Sequence, residues 1–255
     1  MIKAAFFDID GTLTSFKTHT IPESTKRALA ALRAAGIATV ISTGRNTFEM
    51  LPETRTGFDA YITMNGQYCF DDQGVFRDSP IDESDVRAIV EQARGGAYDL
   101  VVLQRDRAFV NARGERVLAN EREVGLTFEV DSLDRALEEP VYQLCPFISS
   151  DEEEQVHAAT RHVSITRWTE LFCDVVPASG GKGVGVAAVL DRLGVTPEEA
   201  VAFGDGENDL PMFRAVGCAV AMGNAWDSVK AEADHVTTSV DDDGIWNACR
   251  HLGLV

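Results

Sequence analysis

The stretch Ala4-Ala5-Phe6-Phe7 is apolar at every position and runs straight into Asp8-Ile9-Asp10-Gly11-Thr12-Leu13. A strand with one wet face alternates apolar and polar residues. A continuous apolar run belongs to a strand buried on both faces, and such strands lie in parallel sheets covered by helices. Asp8 and Asp10 then sit where that strand ends. Buried carboxylates are costly unless something pairs with them. A metal ion is one such partner, and the rest of the chain has to supply its other ligands.

Strand and helix signals alternate from there. PESTKRALAALRAAG (22–36) reads as a helix, with Pro22 in the first turn, an apolar face of Ala28, Leu29, Leu32 and Ala35, and Gly36 at the stop. IATVIS (37–42) and AYIT (60–63) read as further buried strands. After Asn65-Gly66 the segment 67–78 reads as a hairpin with its turn at Asp71 to Gly74.

Beyond residue 80 the pattern changes. DLVVLQ, RAFVN, LTFEV, VYQLCPFI, VSITRW and LFCDVV are shorter, more alternating strands, separated by polar helices such as DESDVRAIVEQAR. This predicts an α+β module with an antiparallel sheet over 81–177, inserted into an α/β domain made of 1–80 and 178–255. The α/β pattern resumes at GKGVGVAAVLDRLGV (181–195), AVAFGDG, CAVAM and DDDGIWNACRHLGL. The hinges are expected at Asp78-Ser79-Pro80 and Val176-Pro177-Ala178.

Several classes of function are disfavoured. The net charge of -18 repels nucleic acid and anionic membranes. The five cysteines form no C-x-x-C pair, which suggests reduced, intracellular usage. Met1-Ile2-Lys3 leading directly into a strand sets the expectation of no signal peptide, and no apolar run has the length of a membrane span.

Four stations carry candidate chemistry. Asp8 to Leu13 could be a polar turn after a strand, capped by Asp10 or Thr12. Ser42-Thr43-Gly44-Arg45 could be a capped helix start, or a hydroxyl and amide that bind an oxyanion. Lys182 stands in Ser-Gly-Gly-Lys-Gly. A P-loop would need Gly at 176 and Ser or Thr at 183, but Val176 and Gly183 stand there. Gly183, Gly185 and Ala188 mimic a dinucleotide fingerprint, but inside the predicted helix. Taken alone, Lys182 is a solvated lysine at a helix start. Gly204 to Asp209 could be an acidic loop capping the next helix. Leu210 and Val216 stand where a calcium loop of the EF-hand type needs Gly and Glu.

Together the stations share one property. Each lies at the carboxyl end of a parallel-type strand or at the helix start beyond it, and in open α/β sheets those ends converge on one crevice. Asp8, Asp10, Asp205, a hydroxyl, a lysine and an amide would meet there. Oxygen ligands without His or Cys favour magnesium. Magnesium beside a lysine and a hydroxyl makes a phosphate site, a local positive pocket in a negative protein.

At this point the chain resembles the haloacid dehalogenase-like phosphatases, specifically the Cof-type subfamily IIB of sugar-phosphate phosphatases. DIDGTL, STGR, Lys182 in GGKG and GDGENDLPM resemble its four motifs in order. ITMNG (62–66), AVAMGNA (219–225) and Asp243-Gly244 resemble further signatures. The resemblance implies a Rossmann-like, doubly wound parallel-sheet core with an inserted type-2B α+β cap. It implies that Asp8 is the nucleophile, that Asp10 is the acid and base, and that Mg2+ is held by Asp8, the Asp10 carbonyl and Asp205. Thr43, the Gly44 amide, Lys182 and Asn208 would hold phosphoryl oxygens, and Asp209 would orient Lys182. Ile9, Arg45, Asn65 and Gly66 would join the substrate site; Arg105, Arg113 and Trp168 are candidates from the cap.

The expected partner is a small phosphorylated metabolite met in the cytoplasm, with no nucleic acid and no membrane, by a monomer or weak homo-oligomer. A phosphomutase of the same superfamily and a non-catalytic phosphosugar-binding protein stand as alternatives.

Overall fold

A computed structural model describes the chain except for Leu126 and Trp168, and for Val124 it describes the backbone alone. Leu126 in LTFEV and Trp168 in VSITRW therefore lie outside the described residues. The chain divides into two compact units. One comprises Met1–Arg45, Met50–Asp78 and Gly181–Val255; the other comprises Asn46–Glu49 and Ser79–Gly180.

The first unit is built on an eight-stranded sheet. Its order is His235–Val236, Cys218–Ala221, Ala200–Gly204, Ala4–Phe7, Ala38–Ser42, Ala60–Thr63, Tyr68–Asp71 and Gly74–Asp78. The first six are parallel; the last two form the predicted hairpin, added antiparallel at the edge. Ala4–Phe7 is central, with Ala4 registered against both Ala200 and Ala38.

The unbroken apolar run of Ala4–Phe7 now has its reason. Ala5 and Phe7 enter a core with the helices Glu23–Ala34 and Gly244–His251, whereas Ala4 and Phe6 enter another with the helix Lys182–Leu193. Phe7 stacks on Phe203 of the neighbouring strand at 4.9 Å between ring centroids. Burying each phenylalanine contributes about 1.5–3 kcal/mol, so water on either face would be costly.

From Ala4–Phe7 the chain steps to strands on one side, then returns to those on the other. The switch point of the sheet thus lies at the end of this strand, where Asp8 emerges, and crevices form at such points.

The second unit has a six-stranded sheet in the order Val163–Thr166, Asp174–Pro177, Val141–Pro146, Leu100–Gln104, Ala108–Val110 and Glu129–Val130. Its core holds Ile89 and Val90 of the helix Glu83–Arg94 with Leu100, Val102, Leu144 and Val175. Three details depart from expectation. The sheet is not wholly antiparallel, because Ala108–Val110 pairs in parallel with Glu129–Val130. The strand predicted over 141–148 stops at Pro146, which has no N–H for the ladder. The strand predicted over 171–176 begins at Asp174, while Phe172 packs on Phe147 at 5.1 Å. No helix among the described residues is long and apolar enough to cross a membrane.

Candidate active site

Asp8 follows the central strand and is only 7% exposed. Lys182 opens the helix Lys182–Leu193 and is fully buried. Its Nζ lies 2.5 Å from Asp8 Oδ1 and 2.6 Å from Asp209 Oδ1. The sequence around Lys182 permits this approach. Gly66 has φ +91°, and a Cβ on it would lie 2.3 Å from the Gly181 carbonyl. A side chain there would push away the turn that delivers the lysine.

Asp209 is a brace. Besides Lys182, its other oxygen accepts the Asp205 and Gly206 amides at 2.9 and 3.0 Å. Asp205 is held at both oxygens: Thr12 Oγ1 donates to Oδ1 at 2.8 Å, and Asn224 Nδ2 donates to Oδ2 at 3.2 Å. Oxygens of Asp8, Asp205 and Asp209 lie within 4.8 Å of one another.

Electrostatics follow from this crowding. Burial, opposed by Lys182 and assisted by Asp209 and Asp10, pushes the Asp8 carboxyl up to about 7. Burial, then Asp8 and Asp209, hold Asp205 well above the usual carboxylate range. For Lys182, burial works against the charge, but Asp209 and Asp8 outweigh it and keep the ammonium protonated. Lys182 is thus bonded by two of the three clustered carboxylates, with Asp205 beside them. The donors are hard oxygens, and the charge left over is negative, which fits a divalent cation. Asp209 is engaged at both oxygens by Lys182 and two backbone amides, and Asp205 takes one side-chain donor at each of its own.

Asp10 is turned to Arg45. Arg45 Nε and Nη2 donate to its two oxygens, each at 2.7 Å. The paired geometry is what a guanidinium fork favours. Thr43 is buried; its N–H donates to the Ile62 carbonyl, its Oγ1 accepts the Arg45 amide at 3.1 Å, and its carbonyl accepts the Asn65 amide. Asn65 stands in the left-handed region at φ 52°, and its Oδ1 accepts Asn208 Nδ2 at 3.2 Å. An ideal Cβ on Gly44 would lie 3.3 Å from Asn65 Nδ2. Thr43, Gly44, Asn65 and Asn208 are thus brought together.

Other expected residues stand differently. The Ile9 side chain is in the apolar core, and its carbonyl accepts the Thr12 and Thr14 amides. Gly66 is accounted for by close packing, and its carbonyl accepts Arg77 Nε at 2.8 Å. Arg105 pairs with Asp106 and Arg113 with Glu121, both as ion pairs within the second unit. Sequence reasoning gave no role to Thr12 beyond a cap and none to Asn224. For Asn224 the signal was the segment AVAMGNA, noted without a function.

A second acidic group, Asp82, Asp85 and His162, lies in the second unit. Asp82 caps the helix at Glu83–Arg94 by accepting the Ser84 amide, and Asp85 accepts the Arg161 and His162 amides. These hydrogen bonds account for the group structurally.

Residues 5–249 match the model of a family described as haloacid dehalogenase-like hydrolase. The chain is 38% identical to YkrA of Bacillus subtilis, whose name assigns it provisionally as a phosphatase, over 99% of this chain and 98% of that protein. Among solved structures, one described as the HAD subclass IIB sugar phosphatase BT4131 superposes with a TM-score of 0.92 at 36% identity, covering 99% of this chain and 100% of the other. BT1666 of Bacteroides thetaiotaomicron, described among phosphatases of the same superfamily, gives 0.92 at 34% identity, covering 100% and 96%.

Proposed function

The chain belongs to the haloacid dehalogenase-like hydrolase family, and on that premise we propose that it is a magnesium-dependent phosphatase of phosphate monoesters, with sugar phosphates as the substrate class. The observation that carries this reading is the buried Lys182 ammonium, 2.5 Å from Asp8 in a cluster with surplus negative charge. Hydrolysis of phosphate monoesters is among the slowest uncatalysed reactions, and its catalysis rests on alignment and charge neutralisation. Similarity to a sugar phosphatase supports the substrate class.

Asp8 attacks phosphorus. A bond forms from an Asp8 oxygen to phosphorus, the bond from phosphorus to the ester oxygen breaks, and Asp10 gives its proton to the departing oxygen. Asp10 then takes a proton from the water that cleaves the aspartyl phosphate, and inorganic phosphate leaves. This is nucleophilic and general acid–base catalysis by two positioned carboxyl groups. Thr43, the Gly44 amide, Lys182 and Asn208 hold the phosphoryl oxygens, and Asp209 aims Lys182. Asp8, Asp205 and the Asp10 carbonyl would hold Mg2+, which neutralises charge on the phosphoryl oxygens when bound. The inserted module, residues 81–177, is proposed as the cap domain.

The test is phosphate release from hexose and pentose phosphates, a nucleotide, pyridoxal phosphate and phosphoglycerate, with magnesium and with EDTA. Magnesium-dependent release from a sugar phosphate, absent in Asp8→Asn, is expected. Tight binding of a sugar phosphate with no release from any compound would overturn the phosphatase reading in favour of a binding protein.

A further inference from the structure

Asn224 ties three parts of the chain together. Its Nδ2 donates to the Gly11 carbonyl at 2.8 Å and to Asp205 Oδ2 at 3.2 Å, and its Oδ1 accepts the Val240 amide at 2.9 Å. Gly11 has φ +81°, and a Cβ on it would lie 2.2 Å from Asp205 Oδ2. The Asp205 carboxylate therefore fills a notch that only glycine leaves open. Thr12, the next residue, holds the opposite oxygen at 2.8 Å. With one donor on each oxygen and the Gly11 backbone against it, the plane of this carboxylate is set before any ligand arrives.

A planar carboxamide suits the place. Its two ends are a donor and an acceptor in fixed geometry. Alanine would leave the Gly11 carbonyl and the Val240 amide without this partner and free the Asp205 carboxylate to turn.

We propose that Asn224 is a positioning residue for the divalent cation: it holds Asp205 against the Gly11-Thr12 turn so that the ion meets a preset oxygen. The inference rests on the metal-dependent reading above. Groups that hold a metal's ligands without touching the metal are worth about 10–100-fold in affinity or activity.

The experiment titrates magnesium into the full chain without substrate, by calorimetry, for the parent, Asp205→Asn and Asn224→Ala, with circular dichroism to verify folding. Manganese with electron paramagnetic resonance gives a second readout. Magnesium affinity of Asn224→Ala should fall about tenfold or more. Excess magnesium should then restore its kcat, with KM for a sugar phosphate within about twofold of the parent, since phosphate is held by other residues. A purely structural brace would lower thermal stability in EDTA and leave magnesium affinity unmoved.

A folded Asn224→Ala with parental affinity overturns the inference and leaves the metal-dependent reading standing. Equal binding by the parent and Asp205→Asn overturns that reading, and this inference with it. If Asn224→Ala does not fold, Asn224→Ser, which keeps a small polar group but lacks the reach, is judged by the same two outcomes.

Discussion

Lys182 Nζ sits between two buried carboxylates, 2.5 Å from Asp8 and 2.6 Å from Asp209. Breaking a buried ion pair from one side leaves an uncompensated charge and costs about 3–5 kcal/mol. Lys182→Met strands two carboxylates at once. Urea denaturation should show a loss of this size, and phosphate release should fall to background. A parental midpoint with a near-parental rate would make the lysine dispensable and the site misassigned.

The Asp8 carboxyl has a pH signature. Its pKa is raised from 3.8 to about 7 in the fold, with burial as the main cause. Between those values the folded chain keeps a proton that the unfolded chain has lost. Stability in EDTA should therefore fall as pH rises from about 4 to about 7. Asp8→Asn should make that slope shallower, with Asp205 still contributing, and abolish turnover with the fold intact. Denaturation at several pH values in EDTA measures the slope; equal slopes in parent and variant would contradict the assignment.

Cation binding should follow the same titration in reverse. The ion competes with the proton on Asp8, so magnesium affinity should rise with pH through about 7. Calorimetry at two or three pH values tests this. An affinity that does not change over that range would exclude Asp8 as a ligand.

Arg45 forks onto both oxygens of Asp10 at 2.7 Å. A lysine reaches such a carboxylate as a point charge and cannot reproduce the fork. Arg45→Lys should therefore lose much of what Arg45→Ala loses, about tenfold or more in kcat, because a misplaced catalytic group is costly. Steady-state kinetics on the best substrate decide it. If the lysine variant is fully active, charge alone matters at this position.

Gly66 is a packing requirement. Its φ of +91° and the 2.3 Å from a Cβ to the Gly181 carbonyl leave alanine no relaxed position. Gly66→Ala should cost about 1–3 kcal/mol in chemical denaturation, from backbone strain and overpacking. A neutral substitution would mean that the turn before Lys182 can move away freely.

Strand Ala4–Phe7 was legible because each of its positions meets a core, and the strand ends that carry Asp8, Ser42 and Gly204 followed from the same pattern. The parallel pairing of Phe109 with Glu129 in the second unit was not legible. Alternation along a strand reports which faces are wet, not which neighbour it pairs with or in what direction.

The α/β class, the order of the motifs and the acids at the strand ends are readable from consecutive residues, because apolar runs and turn chemistry are local properties of the chain. Tertiary structure alone decided how those residues are used. Thr12 meets Asp205 across 193 positions, Arg45 takes Asp10, Asn224 joins Gly11 to Val240, and Asp209 becomes a brace. Those choices depend on sheet register, close backbone approach and side-chain orientation. Each becomes definite only when distant segments are packed together and every buried polar group must find its partner.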